Sequence, residues 1–503
     1  MNRRKKRWVK RFKTWHKWPA ITVCVLAFLF AFSGVVMNHR TLFSPFDVNR
    51  KYLPSNYAYQ NWNMDAVKGS LNLSSDSVLL YGKIGVYLSN SSLDTFSDFN
   101  QGFEIGADNK VISAVVKKDN YLMAGTLMGL YLRLKANSNW VKIKLPVKNQ
   151  RVTDLSIKED TLLVLTRDYL LKTNDLSVFE VIKLPQPDGY QKNTSAFKFL
   201  WTLHSGEMFG LIGKLFVDLL GIVVVFLSLS GLIHFFFPGF IRRFKGDKTQ
   251  LKNAKKVNLS LHNKIGYFFV LFLLVNTIAG MFLRPPLLIP IAKSKVSIIP
   301  YTHLDSSNPW QDKLRKVRWN SHTSQYIIST SEGFYKCDES IKTLQTIDSQ
   351  PPVSVMGCNV LEQVDDYTYL VGSFSGLFSW NINSGSIFDM STRKPYQPAA
   401  NLGKPISANM VSGLVRSGHS IWYSDYNKGM TNVITQKSFP EMPVAIIDHS
   451  PISLWNLSLE IHTGRIFESI LDPFYILYIP LSGICVLLVL VSGFFLWYWI
   501  YRK

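Results

Sequence analysis

LHSGEMFGLIGKLFVDLLGIVVVFLSLSGLIHFFF, residues 203–237, decides how this chain is read. From Leu219 to Phe237 the only ionisable side chain is His234. At about 1.5 Å per residue, such a run crosses the roughly 30 Å hydrocarbon core of a bilayer. Residues 19–37, 265–283 and 474–500 contain no charge at all. Four membrane-spanning helices follow, and they account for a composition that is 47% hydrophobic and 14% aromatic over 503 residues.

The formal charge of +22 raises nucleic acid as a partner until its distribution is considered. Nine Lys or Arg precede the first span (Arg3, Arg4, Lys5, Lys6, Arg7, Lys10, Arg11, Lys13, Lys17). Seven follow the second (Arg242, Arg243, Lys245, Lys248, Lys252, Lys255, Lys256), Arg502 and Lys503 end the chain, and Asp247 is the one acid among them. This is the positive-inside pattern, so no nucleic-acid partner is expected. Both termini and the 239–261 loop are expected in the cytoplasm, and the long connections on the far side. The expected domains are a basic N-terminus with helix 1 (1–39), a β-rich first half (40–200), helix 2 (201–238), a basic loop (239–261), helix 3 (262–284), a β-rich second half (285–460), and helix 4 with a short tail (461–503). Trp8, Trp15, Trp18, Trp497 and Trp499 flank the spans as interfacial anchors. The sequence Met37, Asn38, His39 offers no small-x-small cleavage site, so the first run reads as a retained helix rather than a signal peptide.

The opening stretch has a second copy. LHSGEMF (203–209) is matched by IHTGRIF (461–467), each ahead of a span. Gly221 and Gly231 are ten apart, as are Gly483 and Gly493, and Ser230 and Ser492 precede the second glycine of each pair. His16 to Gly34 and His262 to Gly280 are both eighteen residues. The chain therefore reads as two copies of helix, external domain, helix. Between the helices, phrases such as YLMAGTLMGLYL (121–132) and YLVGSFSGLFSW (369–380) are strand, small-residue turn, Gly, apolar residue and aromatic. Such phrases recur about 40 residues apart, as from 78 to 121 and from 326 to 369, which is a propeller-blade period with room for about three blades per half. The expected fold class is a membrane α-helical bundle of four helices with a two-fold internal repeat, carrying all-β, propeller-like periplasmic insertions. Two separate β-sandwiches are the alternative.

Six of the ten histidines stand at helix ends: His16, His234 and His262 on the cytoplasmic side, His39, His204 and His462 on the other. A histidine at a membrane interface can be simple headgroup decoration. As a set they answer another need, since a six-coordinate b-type haem takes two neutral imidazoles from different helices. His16 with His262 and His204 with His462 are the duplicated positions. His39 and His234 have no counterpart and could each replace one member of a pair, so which four of the six serve stays open. No CxxCH motif occurs, so covalent c-type attachment is excluded. Cys337 and Cys358 are both external, and nothing in the sequence decides whether they pair. Asp218 and Lys214 could assist a quinol or a proton, helix-end solvation being the simpler account. Asn276 suits an interhelical hydrogen bond.

HKW (16–18), FSGVVMNH (32–39), the LHSGEMF and IHTGRIF phrases and the Ser-Gly pairs resemble the PepSY-associated transmembrane-helix family of bacterial inner-membrane proteins. The resemblance covers the helices, about a quarter of the chain, and the external segments depart from it because they do not look like PepSY domains. It implies a reductase with b-type haem on His16, His39, His204, His234, His262 and His462, two haems being expected. Its substrate would be ferric iron held by a siderophore or by a periplasmic iron-carrier protein, reduced for iron acquisition. There is no GxGxxG after a strand, P-loop, HExxH or GxSxG, and the cytoplasmic loop is too short for a flavin or nicotinamide domain. Electrons would come from a quinol or a separate donor. A membrane-anchored propeller that binds or senses an external partner without redox activity is the alternative, and a haem-free metal transporter is a third.

Overall fold

The structure, a computed structural model, describes residues 3–134, 138–187, 189–354, 356–397 and 409–502. Two compact units emerge. One comprises residues 1–43, 191–305 and 454–503, the other 44–190 and 306–453.

The first unit is helical. It contains α1 (Arg3–Asn38), α2 (Ala196–Ser205), α3 (Gly210–Arg243), α4 (Thr249–Met281), α5 (Leu454–His462) and α6 (Tyr478–Leu496). Four stretches, Arg3–Asn38, Glu207–Arg243, Thr249–Met281 and Phe474–Tyr501, are long and apolar enough to cross a membrane. The chain is a multi-pass membrane protein. The duplicated phrases are helix ends. Ser195 caps α2 by accepting from the Lys198 N–H at 3.1 Å, and Gly206, at φ 77°, closes it in the left-handed region that a side chain resists. Gly464, at φ 76°, follows α5 in the same way. Each glycine stops its helix two residues past a histidine, leaving His204 and His462 in the last turn. A β-carbon on Gly206 would also lie 2.1 Å from the Gly213 carbonyl oxygen.

The second unit consists of antiparallel meanders of short strands. Their first strands are β1 (Gly69–Asn72), β2 (Ile112–Lys118), β3 (Val152–Lys158), β4 (Leu314–Asn320), β5 (Val360–Gln363) and β6 (Val411–Ser417). Three meanders come from each half of the chain. The recurring Gly-apolar-aromatic phrase has one structural meaning: in four meanders a two-residue turn joins the second strand to the third. The third strand then opens on Gly85, Gly129, Gly333 or Gly376, at φ between 97° and 143°.

The first strands neighbour one another in the order β1, β2, β3, β4, β5, β6, and β6 returns to β1 through a parallel pairing of Gly69 with Leu414. Burial follows the same cycle. Val86 and Ile112 share the core between the first and second meanders, Met123 and Leu155 the next, and Leu165 and Val317 the third. Phe334 and Trp380 share the fourth, Val360 and Val411 the fifth, and Val415 and Leu80 the one that closes the cycle. Each sheet is thus covered on both faces, which explains strands that are near-continuous apolar runs. At the third boundary, fully buried Asp154 accepts from Lys316 at 3.1 Å, Arg318 at 2.6 Å and the Val317 N–H at 2.9 Å. Cys337 and Cys358 are free thiols in different cores. Burial pushes their pKa values up, to about 12 and about 11, so both remain protonated at neutral pH.

Candidate functional site: two histidine pairs in the helical unit

The helices bring the four duplicated histidines together in two pairs. The His16 and His262 rings lie 6.1 Å apart between centroids, and the His204 and His462 rings 6.0 Å apart. His16 and Ser33, which contacts His462, are 17 residues apart on α1. That separates the pairs by roughly 26 Å of helix rise.

Each ring is held by the same device. Its Cε1 edge faces a glycine on a neighbouring helix: His16 against Gly493, His262 against Gly231, His204 against Gly280 and His462 against Gly34. A β-carbon on Gly280 would come within 2.6 Å of its imidazole, and one on Gly493 within 2.9 Å. Nδ1 is occupied in all four. In two rings it donates to the carbonyl one turn before the glycine: His16 to Val489 O at 2.9 Å and His204 to Asn276 O at 3.0 Å. In the other two it meets the serine just before the glycine: His262 with Ser230 Oγ at 2.8 Å and His462 with Ser33 Oγ at 2.9 Å.

These partners fix the tautomer. A carbonyl only accepts, so the Nδ1 atoms of His16 and His204 carry the proton. The Ser230 hydroxyl donates to Leu227 O at 3.2 Å, and the Ser33 hydroxyl to the Leu29 carbonyl. Where each hydroxyl gives its single hydrogen to that carbonyl, its oxygen accepts from Nδ1 of His262 or His462. An Nδ1 that donates leaves Nε2 as an unprotonated lone-pair donor, as in His16 and His204, and an engaged second ring nitrogen is the usual support of a metal-ligating histidine.

Two Nε2 donors, each about 2 Å from one metal ion, place ring centroids about 6 Å apart. Both pairs meet that separation. Among the described residues no group of three or more His, Cys, Asp or Glu side chains could hold a metal. A two-nitrogen set suits a macrocycle that supplies four further nitrogens better than a bare ion that needs four protein ligands. This donor set is of the kind haem b would take, and Gly280 and Gly493 leave room beside the His204 and His16 rings where a β-carbon would intrude.

The remaining histidines go elsewhere. His39 donates from Nε2 to Asp218 Oδ2 at 2.6 Å, and Asn38 Nδ2 donates to Oδ1 at 3.2 Å. His234 lies one turn past Ser230 on α3, its Nδ1 buried without a hydrogen-bond partner among the described residues. Lys214 pairs with Glu207 at 3.3 Å, not with Asp218, and His303 Nε2 approaches the same Glu207 at 3.5 Å. His322 meets the Tyr367 hydroxyl at 2.8 Å and His449 the Ala445 carbonyl at 2.7 Å, while His419 is exposed. Asn276 makes the interhelical bond its position suggests, its Nδ2 donating to His204 O at 2.9 Å. Sequence reasoning missed the carbonyl acceptors of Val489 and Asn276, because backbone atoms leave no residue signature. It also missed the pairing of His39 with Asp218, whose positions are 179 apart.

Residues 1–237 match the family described as PepSY-associated TM region. No curated protein matches the chain. Among solved structures it is similar, at 10% identity over 73% of its length, to three proteins of Bacteroides thetaiotaomicron. Two are described as extracellular domains of hybrid two component systems, BT4673 (TM-score 0.38, 32% of that chain) and BT3049 (TM-score 0.32, 39% of that chain). The third is a structural-genomics protein (TM-score 0.36, 69% of that chain). The chain spans about a third of the BT4673 domain, and scores this low decide neither fold nor function.

Proposed function

From the match of residues 1–237 to the PepSY-associated TM region, we propose that this chain is an inner-membrane b-type haem reductase. It passes electrons across the membrane to ferric iron or a ferric siderophore in the periplasm, for iron acquisition. The observation that carries the reading is the geometry of two histidine pairs whose rings stand 6.0 and 6.1 Å apart. All four Nε2 atoms are open and every Nδ1 is engaged. His16 and His262 hold one haem near the basic, cytoplasmic end, and His204 and His462 hold the other near the opposite end. Bound haem supplies one-electron chemistry. The chain's part is to fix four imidazoles in one tautomer, exclude water from them with apolar helices, and space the pairs along α1.

The β-rich unit reads as a six-bladed propeller in the periplasm, three blades from each copy of an internal repeat. The cyclic order of first strands and of cores between sheets supports this. Two separate sandwiches would leave the third and sixth boundaries without shared cores.

Purified protein tests the reading directly. A Soret band that shifts on dithionite reduction is expected, with about two haems per chain by pyridine assay on the two-pair reading. His204→Ala or His462→Ala should remove one haem, and His16→Ala or His262→Ala the other. Colourless protein from haem-replete cells would overturn the reductase and leave an anchored binding or sensory protein.

A further inference from the structure

Asp218 stands on an unexpected face of its helix. Leu211, Leu215 and Ile222 share that face of α3 at helical spacing and are between 53% and 66% exposed, as residues turned toward lipid are. The Asp218 side chain is only 14% exposed, because Asn38 and His39 cover it from α1 and its end. His39 in turn continues the outward stripe of α1 formed by exposed Val25 and Phe32. Two lipid-facing stripes thus converge on a histidine–carboxylate pair.

A carboxylate at such a place is costly unless it is used or paired, and ionisable residues in spans mark function by default. This pair does more than neutralise charge. Asp218 accepts from His39 Nε2 and so holds the imidazole with Nδ1 as the free nitrogen. Among the described residues Nδ1 has no hydrogen-bond partner, and the side chain is 24% exposed. His39 lies six residues beyond Ser33, which contacts His462, or about 9 Å of helix rise. A proton acceptor therefore sits at the bilayer surface of the bundle, beside one histidine pair.

We propose that His39 and Asp218 form the oxidation site of a lipid-borne hydroxylated donor, a quinol, an inference that rests on reading His204 and His462 as a haem site. The quinol's O–H bonds break in turn. Each proton passes to His39 Nδ1 and on to water, with Asp218 balancing the imidazolium charge. The two electrons leave one at a time toward the His204–His462 pair, joining the proposed transmembrane route at its outer end as a second entry beside the one through His16 and His262, and two ferric chelates outside each accept one. The balance is QH2 + 2 Fe(III) → Q + 2 H+ + 2 Fe(II). Asn38 holds the second carboxylate oxygen and so keeps Asp218 from turning away.

The full chain in detergent tests this with menadiol as the donor, mixed anaerobically while the Soret band is followed. Asp218→Asn and His39→Gln should keep the haem content and the dithionite-reduced spectrum of the parent. Reduction by menadiol should slow by at least about a hundredfold, the low side of what a positioned base contributes. Unchanged menadiol rates in both variants would overturn the site. A second readout does not need haem: fluorescence quenching of 2-heptyl-4-hydroxyquinoline N-oxide, titrated into the His204→Ala protein with and without Asp218→Asn. Weaker binding with Asp218→Asn supports the site, and equal binding overturns it. A parent protein without a Soret band would overturn the haem reading alone, and the titration would still decide this one.

Discussion

At the residue scale, the four glycines facing imidazoles are not equivalent. A β-carbon at Gly280 or Gly493 would press to 2.6 or 2.9 Å of the His204 or His16 Cε1, whereas at Gly34 or Gly231 it would meet Cε1 at 3.7 Å, an ordinary contact. Gly280→Ala and Gly493→Ala should therefore displace a ring from its carbonyl partner and lower haem content. Gly34→Ala and Gly231→Ala should leave it near that of the parent. Pyridine haem assays on the four purified variants check this, and equal haem in all four would mean that the rings are not held against these glycines. The glycines were legible beforehand as a spacing, eighteen residues from His16 to Gly34 and from His262 to Gly280. Their partners were not. The spacing pairs a histidine with a glycine on its own helix, while the fold sets each against a glycine from another.

At the element scale, the orientation expected of the membrane helices rests on charge. Leu220, Val223 and Leu273 form a small buried cluster where α3 meets α4. Eighteen Lys and Arg against one acid, on segments that must share a face, give the stronger constraint. A reporter active only outside the cytoplasm should work when fused after Asn149 and be silent after Gly246; the opposite result at either position would refute the topology. The helix ends themselves were readable as duplicated His-small-Gly phrases. That Gly206 and Gly464 are left-handed caps follows from their φ values, and only the folded chain displays those.

At the scale of the whole molecule, the two halves of the β-rich unit depend on each other. The core joining Leu165 to Val317 and the core joining Leu80 to Val415 both straddle them. Asp154, fully buried, depends on Lys316 and Arg318 from the other half. Removing the partners of a buried charge costs about 3–5 kcal/mol. Residues 40–200 expressed alone should accordingly fold poorly, and co-expression with 285–460 should restore a cooperative thermal transition read by circular dichroism. A monomeric 40–200 fragment that melts cooperatively by itself would show that the halves are independent.

The sequence alone determined that there are four spans, which segments carry positive charge, that the segments between them are short strands with glycine turns, and which histidines are duplicated. Each of these depends on local composition or on a fixed period, and both can be read along one dimension. The tertiary structure decided what no local pattern encodes. It set His16 against His262 and His204 against His462, turned every Nδ1 toward a carbonyl or a serine hydroxyl, brought His39 to Asp218, and returned β6 to β1. The physical reason is that an imidazole's role depends on what its second nitrogen meets, and here that partner lies 32 to 473 residues away.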